Sequence, residues 1–158
     1  LQLTNAVLVF PTAFRFLYSE FRGKAMSHVQ TMEFAVDMES DAAKTAIAQV
    51  GATDLGQGEF KLYSNTKVKG HAVSLPGWSY PVVFTPDNKI KYDNYNGSWG
   101  KQELLDNLCA EIAIQEAIAR ATPIGAIAGT PVTNADGSRY IDFIMQMANG
   151  STASNTIN

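Results

Sequence analysis

Two tryptophans and three tyrosines crowd the stretch between positions 78 and 99: Trp78, Tyr80, Tyr92, Tyr95 and Trp99, with Asp93 among them. Aromatics pair across strands and fill cores, so packing is their commoner use. Beside Asp93, Asn94 and Asn96 the same rings also combine apolar area with polar handles, which is the composition of a recognition surface. Both readings stay open. Trp78, Tyr80, Tyr92, Asp93, Tyr95 and Trp99 are the candidate binding residues, with Tyr95 and Trp99 expected at least partly exposed at the rim of a sheet.

Other chemistry is weaker. His28 and His71 are the only histidines, and neither has a cysteine or carboxylate at ligand spacing. No metal site is expected from them, and an imidazole partly buried or on a strand surface is the plainer reading. Asp87, Asp93, Asp136 and Asp142 are too scattered to form a carboxylate pair, and Asp87 and Asp136 have the surroundings of turn residues. Gly97, Gly100, Gly125 and Gly129 precede no Lys-Ser/Thr phosphate loop, so no nucleotide or other cofactor is expected. The lone Cys109 lies in an apolar run and reads as a small core residue. None of these groups makes a catalytic motif, which leaves the question of enzymatic activity open.

These residues must be positioned by a chain of 158 residues with 46% apolar and 17% charged side chains, a composition that can bury a sizeable core. A net charge of −3 argues against the broad phosphate-binding surface of a nucleic-acid protein. The opening "LQLTNAVLVFPTAF" contains Pro11 and is followed by Arg15, Arg22 and Lys24, the reverse of a secretory leader. It is also shorter than the roughly 20 apolar residues of a membrane span. A cytoplasmic protein without a membrane segment is the expectation.

Arg22-Gly23-Lys24 just before Met26 is what a purine-rich ribosome-binding site would encode if read in frame. Residues 1–25 are therefore expected to be an upstream extension or flexible arm, and a chain begun at Met26 should be as stable as the whole. Without those residues 9 basic face 14 acidic side chains, a net charge of −5.

From Met26 the elements become legible. Residues 27–36 alternate as a half-buried strand, with Met32, Phe34 and Val36 on one face. "DMESDAAKTAIAQVG" offers Asp37 or Ser40 as a cap, an apolar stripe of Ala43, Ala46, Ile47 and Val50, and Gly51 as a stop. "EFKLYS", "KVKGHAVSL", "YPVVFT" and "KIKYDN" read as strands, the last two joined through Pro86-Asp87-Asn88. Pro81 lacks an N–H, so its strand lies at an edge or begins there. Leu104, Leu105, Leu108, Cys109, Ile112 and Ile118 recur at helical spacing from Lys101 to Ala121, ended by Pro123 and Gly125. A weak strand, an Asp136-Gly137 turn and a strong strand with Ile141, Phe143, Met145 and Met147 on one face complete the domain at residues 26–148. Residues 149–158 form a small polar tail expected to be disordered. The order predicts a single α+β domain, an antiparallel sheet with two helices packed on one face.

"MSH" at Met26, "GWSYPVVF" from Gly77, "KYDNYNGSWGK" from Lys91 and "DGSRYIDF" from Asp136 resemble, in order and spacing, the domain of unknown function 1257 family. That family includes the hypothetical chloroplast reading frame 35 proteins of plastids and cyanobacteria, with relatives in bacteria and phages. The resemblance covers about residues 26–147, and "YDNYNGSWG" is its most specific motif. It implies a start at Met26 but brings no catalytic residue set. It departs from the family at "AEIAIQEA", where relatives carry a tyrosine. The preferred function is a small non-enzymatic accessory protein of phage or cyanobacterial type that binds a protein partner. The alternative is an enzyme or small-ligand-binding domain with its site at the aromatic segment 91–101. A deep polar pocket at His71 or Asp93 would favour the alternative, and an exposed aromatic patch the preferred reading.

Overall fold

Alternating apolar positions give strands and 3.6-residue stripes give helices, and the computed structural model contains both. It describes the backbone of residues 2–10, 29–147 and 154–157, with side chains for residues 29–145. The elements, in chain order, are β1 (Gln2–Phe10), β2 (Gln30–Glu33), α1 (Asp41–Gln49), β3 (Thr53–Lys61), β4 (Lys67–Ser74), β5 (Val82–Thr85) and β6 (Lys89–Tyr92). They continue with α2 (Gln102–Ala121), β7 (Ile127–Ala128), β8 (Val132–Thr133), β9 (Arg139–Met147) and β10 (Ser154–Ile157). The fold class is α+β, as the sequence order predicts. The chain divides into two units, Arg15–Ile112 and Leu1–Phe14 with Ala113–Asn158.

In the first unit the strands form one antiparallel sheet in the order β2-β6-β5-β4-β3. β5 begins directly after Pro81 and is the central strand, which settles the two options for that proline in favour of a strand start. The β5–β6 hairpin pairs Thr85 with Lys89 and Phe84 with Ile90 around Pro86-Asp87-Asn88, where Asn88 takes φ 62°. Thr85 donates its hydroxyl to Asp87, and this bond holds the Asp87 carboxyl below the usual carboxylate range. Met32, Ala72, Val73, Val82, Val83, Phe84, Ile90 and Tyr92 supply the buried side chains of the sheet. Ser40 caps α1 by accepting from the Ala43 amide at 3.1 Å, and Ala43, Ala46 and Ile47 are its buried stripe. Gly51, at φ 72°, follows the helix as its stop.

The second unit is built round β9, in a sheet ordered β10-β1-β9-β7 with β8 also paired to β9. Its pairs are antiparallel except β1 with β10, which is parallel. Ile141 and Phe143 of β9 are buried with Ile114 and Ala121 of α2, the face read from the sequence, and Met145 is half-buried. Asp136 accepts from the amide and hydroxyl of Ser138, which closes the expected turn and depresses the Asp136 carboxyl.

Three details differ from the sequence reading. Gln2–Phe10, read as part of an extension, pairs along its length with β9, from Gln2 opposite Met147 to Phe10 opposite Arg139. Ser154–Ile157, read as part of a disordered tail, pairs with β1. β3 begins at Thr53, six residues before the strand read from "EFKLYS", because pairing with β4 carries the glycine-containing stretch into the sheet. Residues 11–28, with the proposed start at Met26 and with His28, lie outside the described residues.

Candidate functional site

The six candidate residues separate into an interior set and a surface set. Tyr92, at 0% exposure, ends β6 and gives its hydroxyl to Gln30 Oε1 at 3.0 Å. Trp78, at 9%, meets Tyr92 edge to face with centroids 6.0 Å apart. Its indole N–H donates to the Lys101 carbonyl at 3.2 Å. Gly100 lies against the Trp78 ring, so closely that a Cβ there would overlap Cγ, Cδ2 and Cε2. For Trp78 and Tyr92 the packing reading is therefore the one the structure supports.

Asp93 is also interior, at 1% exposure, and its Oδ1 accepts from the Tyr95 amide at 3.1 Å. That bond begins a turn of the Asx kind. The Asn94 carbonyl then accepts from Gly97 at 3.0 Å and Trp99 at 2.9 Å, while its side-chain amide donates to Gln102 Oε1 at 2.9 Å. Tyr95 and Asn96 sit at φ 44° and 50°, a left-handed conformation that costs a bulky residue about 1–2 kcal/mol. The bonds from Asp93 and Asn94 hold the chain in it. Asp93 is thus a positioning residue for the turn.

What the turn presents is aromatic. The Trp99 ring contacts Tyr95 at 4.9 Å, Tyr63 at 5.0 Å and Tyr80 at 5.7 Å between centroids, all tilted. Tyr80, Tyr95 and Trp99 are half-buried, and Tyr63 is 41% exposed. The Ser79 amide donates to the Trp99 carbonyl at 2.8 Å, which ties the segment before β5 to the one before α2. Tyr63 also precedes a strained turn, Ser64 and Asn65 at φ 58° and 60°. The expectation that Tyr95 and Trp99 are partly exposed is met. Tyr63 was not among the candidates, because "EFKLYS" reads as a strand; the Ser64-Asn65 pair after it was the available signal.

A second constellation has no sequence signal at all. His71, at 2% exposure, faces Glu39 Oε1 from Nδ1 at 2.8 Å and Asp54 Oδ1 from Nε2 at 2.6 Å. It is deeper than a strand-surface histidine. Each ring nitrogen of His71 thus lies at hydrogen-bond distance from a carboxylate oxygen. The bond from His71, with a second from Gln57, holds the Glu39 carboxyl below its ordinary range. With both ring nitrogens engaged, His71 has none left to accept a proton from a substrate, so the cluster clasps the approach to α1 onto β3 and β4. Among the described residues, no group of three or more His, Cys, Asp or Glu could hold a metal ion.

Burial pushes the Cys109 thiol far up, with the Asp106 charge adding to the shift, so it is not a thiolate nucleophile at neutral pH. Among the described residues, no helix is long and apolar enough to cross a membrane. Comparison of the chain with protein-family models, curated proteins and solved structures returns no significant match.

Proposed function

We propose that the chain is a non-enzymatic binding protein that holds a protein partner on the surface formed by Tyr63, Tyr80, Tyr95 and Trp99. One observation carries this reading: a tryptophan contacted by three tyrosines is kept partly exposed by a backbone turn that is strained and multiply hydrogen-bonded. An aromatic anchor ordered in advance in this way loses little entropy on association. The groups that could have supported chemistry beside it point elsewhere. Asp93 is bound into the turn, Tyr92 is interior, and both nitrogens of His71 face carboxylates.

The same proposal takes the chain as a cytoplasmic accessory protein of phage or cyanobacterial type, related to the domain of unknown function 1257 family through "YDNYNGSWG". That motif coincides with the end of β6 and the aromatic turn. Capture from a host lysate tests the binding reading. Wild type should retain a partner that the Tyr95→Ala/Trp99→Ala variant loses, while the variant keeps its circular dichroism spectrum and most of its urea stability. Equal capture by both would refute it, as would a variant that unfolds alongside a wild type that captures nothing.

A further inference from the structure

We infer, on the basis of that reading, that the partner presents a short acidic segment carrying an apolar side chain. The rings supply the apolar half of the surface, since Trp99 touches Tyr63, Tyr80 and Tyr95 and joins them into one group. The charge bordering that group is of one sign. Tyr63 sits in the turn between β3 and β4, and Lys61 and Lys67 pair directly opposite one another where the turn begins and ends. The next pair, Phe60 and Val68, packs inward on Leu62, Ala72 and Val83, so alternation along the strands turns the two lysines outward. Lys101 follows Trp99 by two positions at the entry to α2, and all three lysines are exposed. The loops that carry the rings, Leu62 to Thr66, Leu75 to Pro81 and Asn94 to Gly100, contain no acidic side chain. Asp93, at their border, is buried and bonded to the Tyr95 amide.

These charges are only partly matched within the chain, although its net charge is −3. Glu59 lies 3.8 Å from Lys67 and 4.0 Å from Lys69, one carboxylate between two ammonium groups. Among the described residues, Lys61 and Lys101 have no ion-pair partner. Like charges directly opposite across two strands repel, and carboxylates laid over Lys61 and Lys67 would remove that repulsion. A lysine border round uncharged rings therefore complements an anionic occupant and opposes a basic one. Nucleic acid is the other anionic polymer to weigh. Its single strands follow a positive groove and stack successive bases on separate rings. Here the rings lie against one another, 4.9 to 5.7 Å between centroids, and offer one anchoring point instead of a track. An acidic peptide segment fits that arrangement better.

The test titrates the full chain with a blocked peptide of six glutamates around a central phenylalanine. Beside it run the same peptide with glutamine for glutamate and an oligothymidylate of equal length. Binding is followed by the two indole N–H resonances at low and at raised salt. The acidic peptide should saturate the protein, move the Trp99 signal more than that of Trp78, and bind more weakly as salt rises. Lys61→Gln together with Lys67→Gln should weaken it about fivefold, and Glu59→Gln, which frees Lys67, should strengthen it about twofold. Lys44→Gln, the same change of charge on α1, should leave it unaltered. All four side chains are exposed, so none of these variants disturbs the core. The inference is overturned if the acidic peptide does not bind, if the glutamine peptide binds as tightly, or if oligothymidylate binds more tightly. It is overturned equally if the lysine pair can be replaced without loss, or if Lys44→Gln costs as much. Should the acidic peptide fail while partner capture still depends on Tyr95 and Trp99, only the acidic inference falls. Loss of that dependence removes the parent reading as well.

Discussion

Gly100→Ala probes the contact on which the aromatic turn rests. A Cβ at this position would lie closer than 3.0 Å to Cγ, Cδ2 and Cε2 of Trp78, where ordinary contact begins at 3.4 Å. The obstacle is a rigid ring, interior, bonded through Nε1 to Lys101 and packed edge to face on Tyr92, so it cannot swing aside as a flexible side chain would. Overpacking of this kind costs about 1–3 kcal/mol. Sliding the indole far enough to clear the methyl also weakens its hydrogen bond, worth about 1 kcal/mol. The expected loss is thus about 2–4 kcal/mol, or a fall in urea midpoint of about 1–2 M for a protein of this size. Urea unfolding followed by tryptophan fluorescence measures it, with the exposed Ser98→Ala as a reference that should stay within about 0.5 kcal/mol. A Gly100→Ala protein as stable as that reference would show that Trp78 is not seated on Gly100.

Phe143→Ala should cost about 3–5 kcal/mol, since the ring is buried with Ile114, Ala121 and Ile141; a loss below about 0.5 kcal/mol in the same assay would put β9 on the wrong face. Cys109 should resist a thiol reagent in the native protein and label promptly in urea, and rapid native labelling would contradict its burial. Glu39 has a depressed carboxyl, so its contribution to stability is complete above pH 4.5 and is lost as pH falls below that value toward the depressed one. Glu39→Gln should therefore lose stability less steeply than wild type on acidification, although Asp87 and Asp136 keep part of the slope in both. Identical slopes would mean that the bond to His71 does not shift Glu39.

Where one local rule dominates, the sequence was sufficient. Ser40 capping α1, the hairpin at Pro86-Asp87-Asn88 and the buried face of Ile141 and Phe143 each depend on residues within a few positions of one another. The aromatic segment was legible as a concentration but not as two layers. Whether Tyr92 or Tyr95 faces outward depends on the left-handed turn at Tyr95 and Asn96; Asn96-Gly97 signals a turn, but a tyrosine gives no sign that its own backbone is left-handed. The clasp at His71 was illegible because Glu39 and Asp54 lie 32 and 17 positions away and meet it only through the pairing of β3 with β4 and the approach to α1. β1 was missed for a related reason. A short apolar run has no periodicity of its own, and only a distant partner, β9, makes it a strand.

The outer position of β3 bears on how this protein behaves when it is crowded. Among the described residues no strand pairs with the outer edge of β3, and an edge of that kind offers amides and carbonyls on which a second molecule could dock and start a growing ribbon. β3 is poorly suited to that role. Its register breaks between Asp54 and Gly56, so a visitor aligned with one half is out of step with the other. Gly56 and Gly58 give an incoming side chain little to grip, and Asp54, Glu59 and Lys61 place charge along the same border. Glu59 is within 4.0 Å of both Lys67 and Lys69 of the neighbouring strand, so that charge is fixed beside the sheet. The residues that made β3 hard to recognise as a strand are the ones that discourage it from recruiting another.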